Sequence, residues 1–495
     1  MNATQSDHHD RNRWLALYVL CAGMLMIVLD ITIVNVALPS IQDDLGFSQS
    51  SLAWVVNAYL VPFGGLLLLA GRLGDLLGQR KVFLAGLAIF TVASLLCAVS
   101  QTQEMLIGAR FVQGIGGALT SAVILGMIVT LFPEPREQAK AIGVYGFVAS
   151  AGGSIGLLVG GVLTEAIAWH WIFFINIPVG IATAFFALRL VENVKGIGFE
   201  KGADIPGAVL ITSGLMLGVY TILEVERTGW GATSTLVLGA VSLALSIAFL
   251  VRQARIENPL MPLHLFRSRN VSGANAMQML LVAGMFSMFF LGALYMQQIL
   301  GYDPLQVGLA FLPATLVMGT LSLGFSEKLI MRFGPRRTLM PGLVFIGAGL
   351  LLFARTPVDG SYATDILPAM LLFGIGVGTS FPSLMTVAMS GAAPNEAGLA
   401  SGVVNTSAQV GGAIGLAVLA TLATGRTDTL LDQGVANAEA LNSGFHLAYL
   451  VGAALVAGAL AVAIFVLEPV EAPAHGHGEE TAPEGAPEPA YSEVS

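Results

Sequence analysis

The chain has 495 residues, 55% of them hydrophobic and only 11% charged, against roughly 25% charged for soluble domains. That balance excludes a water-soluble globule. The net charge of −9 comes mostly from seven acids after Leu467, so it says little about partners, and nothing in the composition calls for nucleic acid.

Residues 1–13 form a short cytoplasmic N-terminus. The first apolar run is about 25 residues long and ends at Pro39 without a small-x-small cleavage pattern, so it is expected to stay as a first helix. A span needs about 20 mostly apolar residues, and fourteen stretches qualify. In chain order they cover 14–38, 52–70, 82–100, 105–131, 141–164, 171–190 and 206–224, then 234–251, 271–297, 305–325, 338–354, 365–390, 398–423 and 443–467. Bare backbone is costly in lipid and these stretches are too long for barrel strands, which predicts an all-α membrane protein. With the N-terminus inside, 18 of the 22 Lys and Arg residues fall on the inner face. The positive-inside rule therefore places both termini in the cytoplasm. Cys21 and Cys97 lie in the first and third spans and imply no disulfide framework. The tail 468–495 is rich in Pro, Ala, Gly and Glu and is expected to be a disordered acidic cytoplasmic segment. Its His475 and His477 read as filler rather than metal ligands.

One stretch of sequence occurs twice. Pro135, Glu137, Gly143, Val144, Gly152, Gly153, Ile155, Gly156 and Leu157 return 259 residues later as Pro394, Glu396, Gly402, Val403, Gly411, Gly412, Ile414, Gly415 and Leu416. Self-similarity of this kind in a chain of spans indicates two related halves of a transporter. The repeat equates span five with span thirteen, a shift of eight, which six helices per half plus two inserted helices produce. The expected organisation is a six-helix half over 14–190, connectors with two inserted helices over 191–270, and a second six-helix half over 271–467.

Charges inside the spans are the candidate working residues. A carboxylate at the centre of a span costs roughly 2.5–3.5 kcal/mol on insertion scales, so Asp30 must face a cavity or a partner. It lies about 13 Å below the outer end of span one, and Arg110 about 10 Å into span four, at 1.5 Å per residue. Their similar depth makes Arg110 the natural partner. Gln113, Gly114 and Gly117 share the face of Arg110. On the cytoplasmic side, Gly71, Asp75, Gly78 and Arg80 sit in a loop whose glycines permit a tight turn. Asp75 there is placed to pair with Arg72, Arg80 or a helix N-terminus. Gly334-Pro335-Arg336-Arg337 echoes the end of that loop without its aspartate.

Gly152, Gly156 and Gly160 recur every four residues, with Gly161 beside them, and Gly411 and Gly415 repeat the stripe in span thirteen. Such stripes let helices approach closely. Two readings follow, a sliding contact between the halves or static packing. Gly152-Gly153-Ser154-Ile155-Gly156 also fits the nucleophile-elbow pattern of hydrolases, but it lies inside a membrane helix rather than on a strand-to-helix turn, so no enzyme is expected. No phosphate loop, dinucleotide fingerprint or zinc-protease motif occurs, so no cofactor, metal or ATP-driven step is expected within the chain. Span nine carries Met285, Phe289, Met296 and Gln297, a flexible, polarizable wall with a polar handle. With Asn35 of span one these are the candidate substrate contacts. Glu224 and Glu226 are expected at the outer interface.

Four stretches carry a resemblance. They are Leu29-Asp30-Ile31-Thr32-Ile33-Val34-Asn35-Val36-Ala37-Leu38-Pro39, Gly71-Arg72-Leu73-Gly74-Asp75-Leu76-Leu77-Gly78-Gln79-Arg80-Lys81, Arg110-Phe111-Val112-Gln113-Gly114-Ile115-Gly116-Gly117-Ala118 and Trp169-His170-Trp171-Ile172-Phe173-Phe174-Ile175-Asn176-Ile177-Pro178. In this order they make the chain resemble the fourteen-span drug:proton antiporters of the major facilitator superfamily, from the first span to the last. Leu157 stands where the group's fifth-helix motif has a kinking proline, and His170 where the group usually carries arginine. The resemblance implies proton coupling at Asp30 and Arg110 and a conformational latch in the Gly71–Lys81 loop. It also implies a monomer in a bacterial inner membrane that exports small amphipathic drugs by alternating access. Export of one endogenous metabolite, such as an antibiotic or siderophore, is the alternative, and a non-transporting receptor is a third. The residues leave open whether Asp30 carries protons or contacts cationic substrates.

Overall fold

The computed structural model describes residues 3–47, 49–198, 204–256, 259–261, 263–390 and 397–468, so the acidic tail beyond Glu468 and its histidines lie outside the described residues. Among them there is no β-strand. In chain order the helices are α1 (Ala3–Leu45), α2 (Gln49–Leu77), α3 (Gln79–Ala98), α4 (Gln103–Leu131) and α5 (Pro135–Ala166), then the short α6 (Trp171–Phe174) and α7 (Asn176–Leu190). The next pair is α8 (Ile205–Thr228) and α9 (Thr233–Gln253). The rest of the chain runs α10 (Arg269–Phe286), α11 (Gly292–Leu294), α12 (Pro304–Gly324), α13 (Ser326–Phe333), α14 (Pro335–Phe353), α15 (Leu367–Met389), α16 (Ala397–Asp432) and α17 (Asn437–Phe465). Among the described residues thirteen segments are long and apolar enough to cross a membrane, and bent α5 makes fourteen.

Local chemistry sets the ends. Thr102 accepts the Met105 N–H and starts α4. Asp303 and Gln306 form a reciprocal capping box at α12, satisfying backbone donors that the first turn leaves open. Gly78 takes φ 101° between α2 and α3, a conformation glycine adopts at no steric cost. The span beginning at Arg269 is not a plain α-helix. It widens into π turns at Ser287–Leu291 and Tyr295–Ile299, a geometry frequent at functional sites.

Helix α5 bends by 40° between Pro135–Gly153 and Leu158–Thr164 although Leu157 replaces the expected proline. The Gly153-Ser154 pair at the break is a sufficient local cause. The glycine stripe of α5 faces α1. A Cβ at Gly152 would lie 2.8 Å from the Val28 side chain, and one at Gly160 would lie 3.0 Å from the Ile33 carbonyl. A Cβ at Gly156 would collide with the Thr32 side chain. Gly411 and Gly415 of α16 likewise press on the backbone of Met279 and Ala283 in α10. Of the two readings, these stripes therefore fit close packing, of α5 on α1 and of α16 on α10, rather than a sliding contact between halves. Gly161 meets nothing within 4 Å.

Another repeated pair joins helices far apart in the chain. Ser322 of α12 donates to the Gly143 carbonyl of α5 at 2.8 Å, and a Cβ at Gly402 of α16 would lie 3.0 Å from the Leu67 carbonyl of α2. Helices α8 and α9 pack on each other, and α8 leans on α2 and α16.

Candidate functional site: a buried acid–arginine cluster and a cytoplasmic latch

Asp30 and Arg110 are both 1% exposed. Arg110 Nη1 donates to Asp30 Oδ2 at 2.5 Å and to Gln113 Oε1 at 2.7 Å, while its Nε donates to the Val55 carbonyl at 2.9 Å. Gln113 Nε2 donates to Asp30 Oδ1 at 2.7 Å and to Ser94 Oγ at 2.9 Å. Asn176 Nδ2 adds a third bond to the carboxylate, at 3.0 Å to Oδ1. The guanidinium carbon sits 4.5 Å from the centre of the Tyr59 ring and 5.7 Å from that of Phe173, a cation–π arrangement that is worth more when desolvated.

Six helices build this cluster, and their approach explains it. Gly114 lets α4 lie against α2, because a Cβ there would overlap the Tyr59 carbonyl. That contact aims Arg110 at Val55 and Tyr59 one turn apart. On the outer side the cluster is covered by an apolar layer that includes Ile33, Val34 and Ala37 of α1, Leu106 and Ala109 of α4, and Ile172 and Phe173 of α6. A paired, hydrogen-bonded charge survives such burial, whereas removing one partner leaves the other uncompensated.

The second assembly lies at the cytoplasmic ends. Asp75 Oδ2 accepts the backbone N–H of Leu399 in the first turn of α16 at 2.9 Å. Of the partners expected for Asp75, the helix N-terminus is thus one that it meets. Arg80 donates to the Leu188 carbonyl at 2.5 Å. The expected Gly71–Lys81 loop is a tight junction of two helices: Gly71 and Asp75 lie in α2, Arg80 in α3, and Gly78 alone separates them. The segment after α7 lies along this junction, with Ile197 N–H to the Asp75 carbonyl and Gly198 N–H to the Leu76 carbonyl, both at 3.0 Å. Arg136 of α5 donates to Glu327 of α13 at 2.7 Å. A cavity of about 500 Å³ opens beside this junction, lined by Gly74, Asp75, Gly78, Arg80 and Lys195 among others.

The candidate substrate residues are dispersed. Phe289 sits in the first π turn, its ring 5.5 Å from those of Phe311 and Phe373. Met285 is partly buried against the same core, Met296 is fully buried, and Gln297 is exposed near the outer end of the span. The side chain of Asn35 lies outside the described residues. Sequence reasoning missed Ser94, Tyr59 and the bonding role of Asn176. The signal for Asn176 was present, since it is a polar residue inside an otherwise apolar span.

Residues 20–416 match the family model described as Major Facilitator Superfamily. The chain belongs to the major facilitator superfamily. It is 38% identical over 460 residues to the puromycin resistance protein pur8 of Streptomyces alboniger, covering 91% of each chain. It is also 38% identical over 410 residues to the cephamycin export protein CmcT of Amycolatopsis lactamdurans, covering 82% of this chain and 84% of that one. Among solved structures it superposes on the human organic anion transporter MFSD10 (TETRAN) with a TM-score of 0.63 at 16% identity, covering 90% of this chain and 99% of that one. As a major facilitator, the protein is a multi-pass membrane transporter and not an enzyme.

Proposed function

We propose that the protein is a drug:proton antiporter that exports small amphipathic compounds through the plasma membrane of a bacterium, working as a monomer. The observation that carries this reading is the buried Asp30–Arg110 pair, a titratable acid held inside a span by one cation and two amides. Structural burial alone gives no reason to retain so costly a pair. Protonation of Asp30 weakens its hold on Arg110 and biases the transporter toward one facing state; substrate then exchanges from the other side. The chain divides as six, two and six helices, over 14–190, 191–270 and 271–467. The α2–α3 junction carrying Gly71, Asp75, Gly78 and Arg80 latches the cytoplasmic ends, which are joined here by Asp75 and Leu399. Met285 and Phe289 contribute the adaptable wall of the substrate path.

A narrower reading is favoured by one relative, the cephamycin export protein: dedicated export of a single antibiotic. Inverted membrane vesicles energised by a proton gradient separate the two. Gradient-dependent uptake of several lipophilic fluorescent cations and neutral drugs, abolished in Asp30→Asn and by a protonophore, supports the broad antiporter. Uptake of one compound from the panel supports the dedicated exporter. Full gradient-driven uptake by Asp30→Asn would remove Asp30 from the mechanism.

A further inference from the structure

The three bonds to Asp30 all suit a carboxylate, and an acid protonated on Oδ1 cannot keep all of them. Oδ1 accepts from Gln113 and Asn176, and Oδ2 accepts from Arg110. A proton added to Oδ1 puts a donor where two donors already point, so one amide must turn or leave. Gln113 is held in place from behind. Its Oε1 accepts from Arg110 at 2.7 Å and its Nε2 also donates to Ser94. Reversing that amide would aim its NH₂ at a guanidinium N–H. Asn176 has no such restraint, because among the described residues its amide nitrogen bonds Asp30 alone.

Resting on the reading of Asp30 as the proton carrier, we propose that Asn176 is the positioning residue that reads the charge on Asp30. Its amide donates to the carboxylate and, after a half-turn, accepts from the carboxylic acid. A hydronium ion gives its proton to Oδ1 and leaves water; the N–H bond from Asn176 breaks and the O–H bond to its carbonyl forms. No other bond of the cluster changes partner. Asn176 is the first residue of α7, directly after Ile175, which separates α6 from α7. The charge on Asp30 is thereby transmitted to the outer end of the sixth span. The other titratable or charged groups of the cluster are Arg110 from α4, Tyr59 from α2 and Cys97 from α3, whose thiol lies 3.5 Å from Gln113 Oε1. His170, before α6, stacks on Trp169.

The test is difference infrared spectroscopy of the purified full chain across a pH series, following the C=O stretch of a protonated carboxyl. The Asp30 band is the one lost in Asp30→Asn. In Asn176→Leu, which matches the side chain in size but bonds neither form, the band should appear about one pH unit higher, because a charge-assisted bond is lost from the ionised form and only a neutral one from the acid. It should also move to higher frequency, as an acid without an acceptor does. Should Asn176→Leu not fold, Asn176→Ala removes the amide without strain and is read the same way. An unchanged midpoint and frequency would overturn the role of Asn176 while leaving Asp30 as the carrier. Absence of any Asp30 band in the wild type overturns both.

Discussion

Asp75, near the cytoplasmic end of α2, holds the Leu399 N–H at the start of α16, in the opposite half of the chain, 2.9 Å from its carboxylate. Charge placed at a helix N-terminus is favourable, and a hydrogen bond to a charged group contributes about 1.5–3 kcal/mol. Breaking it should therefore shift the open–closed balance of the cytoplasmic side by about tenfold or more. Both native cysteines are buried, so a reporter cysteine has little background. Ser322→Cys, at the α5–α12 contact, should be labelled faster by a membrane-impermeant maleimide from the cytoplasmic face when combined with Asp75→Ala. Asp75→Asn keeps an acceptor and should fall between.

The neighbouring Arg136–Glu327 pair predicts the opposite. The Arg136 side chain is 74% exposed, and exposed ion pairs contribute little and are screened by salt. Arg136→Ala should leave reporter labelling and transport close to wild type at physiological ionic strength. A loss as large as that of Asp75→Ala would show that the gate is held electrostatically over its whole face.

The α1–α5 contact gives a steric prediction. Any side chain at Gly156 meets Thr32 and the Leu29 carbonyl, the latter 3.2 Å from the Cβ position. Gly156→Val should lower stability by about 1–3 kcal/mol or more, the range for overpacking. Thermal unfolding followed by size-exclusion in detergent reads it. Gly161→Ala, with open space around it, should unfold near the wild-type temperature.

These cases show how much the sequence discloses. The Asp30–Arg110 contact is legible because both charges lie in spans at matching depth, and lipid leaves them no alternative but each other. The glycine period of α5 is legible too, since spacing follows from helix geometry, but its partner is not. Nothing in a four-residue repeat distinguishes α1 from a helix of the other half. Asn176 is 146 residues from Asp30, and a neutral amide creates no energetic demand that points to one partner. The bend in α5 escapes for a related reason: proline is a strong signal, whereas Gly153-Ser154 permits a kink that packing must then select.

Asp204 lies outside the acid–arginine cluster, at the start of α8. It caps α8 through the Gly207 N–H at 2.9 Å and accepts from Arg252 Nε at 2.7 Å and Gln253 Nε2 at 2.6 Å, tying α8 to the end of α9. Burial pushes its carboxyl upward, but the Gly207, Arg252 and Gln253 bonds together outweigh it and hold the pKa below the ordinary value of 3.8. A depressed carboxyl stabilises the fold above its unfolded pKa and loses that contribution as pH falls through the folded value. Asp204→Asn should therefore be less stable than wild type by about 1–2 kcal/mol, the low end because Arg252 is 37% exposed. The gap in thermal midpoint should stay constant from neutral pH down to mildly acidic pH and close only below the ordinary carboxylate range. A gap that closes near neutrality would assign the stabilisation to a different group.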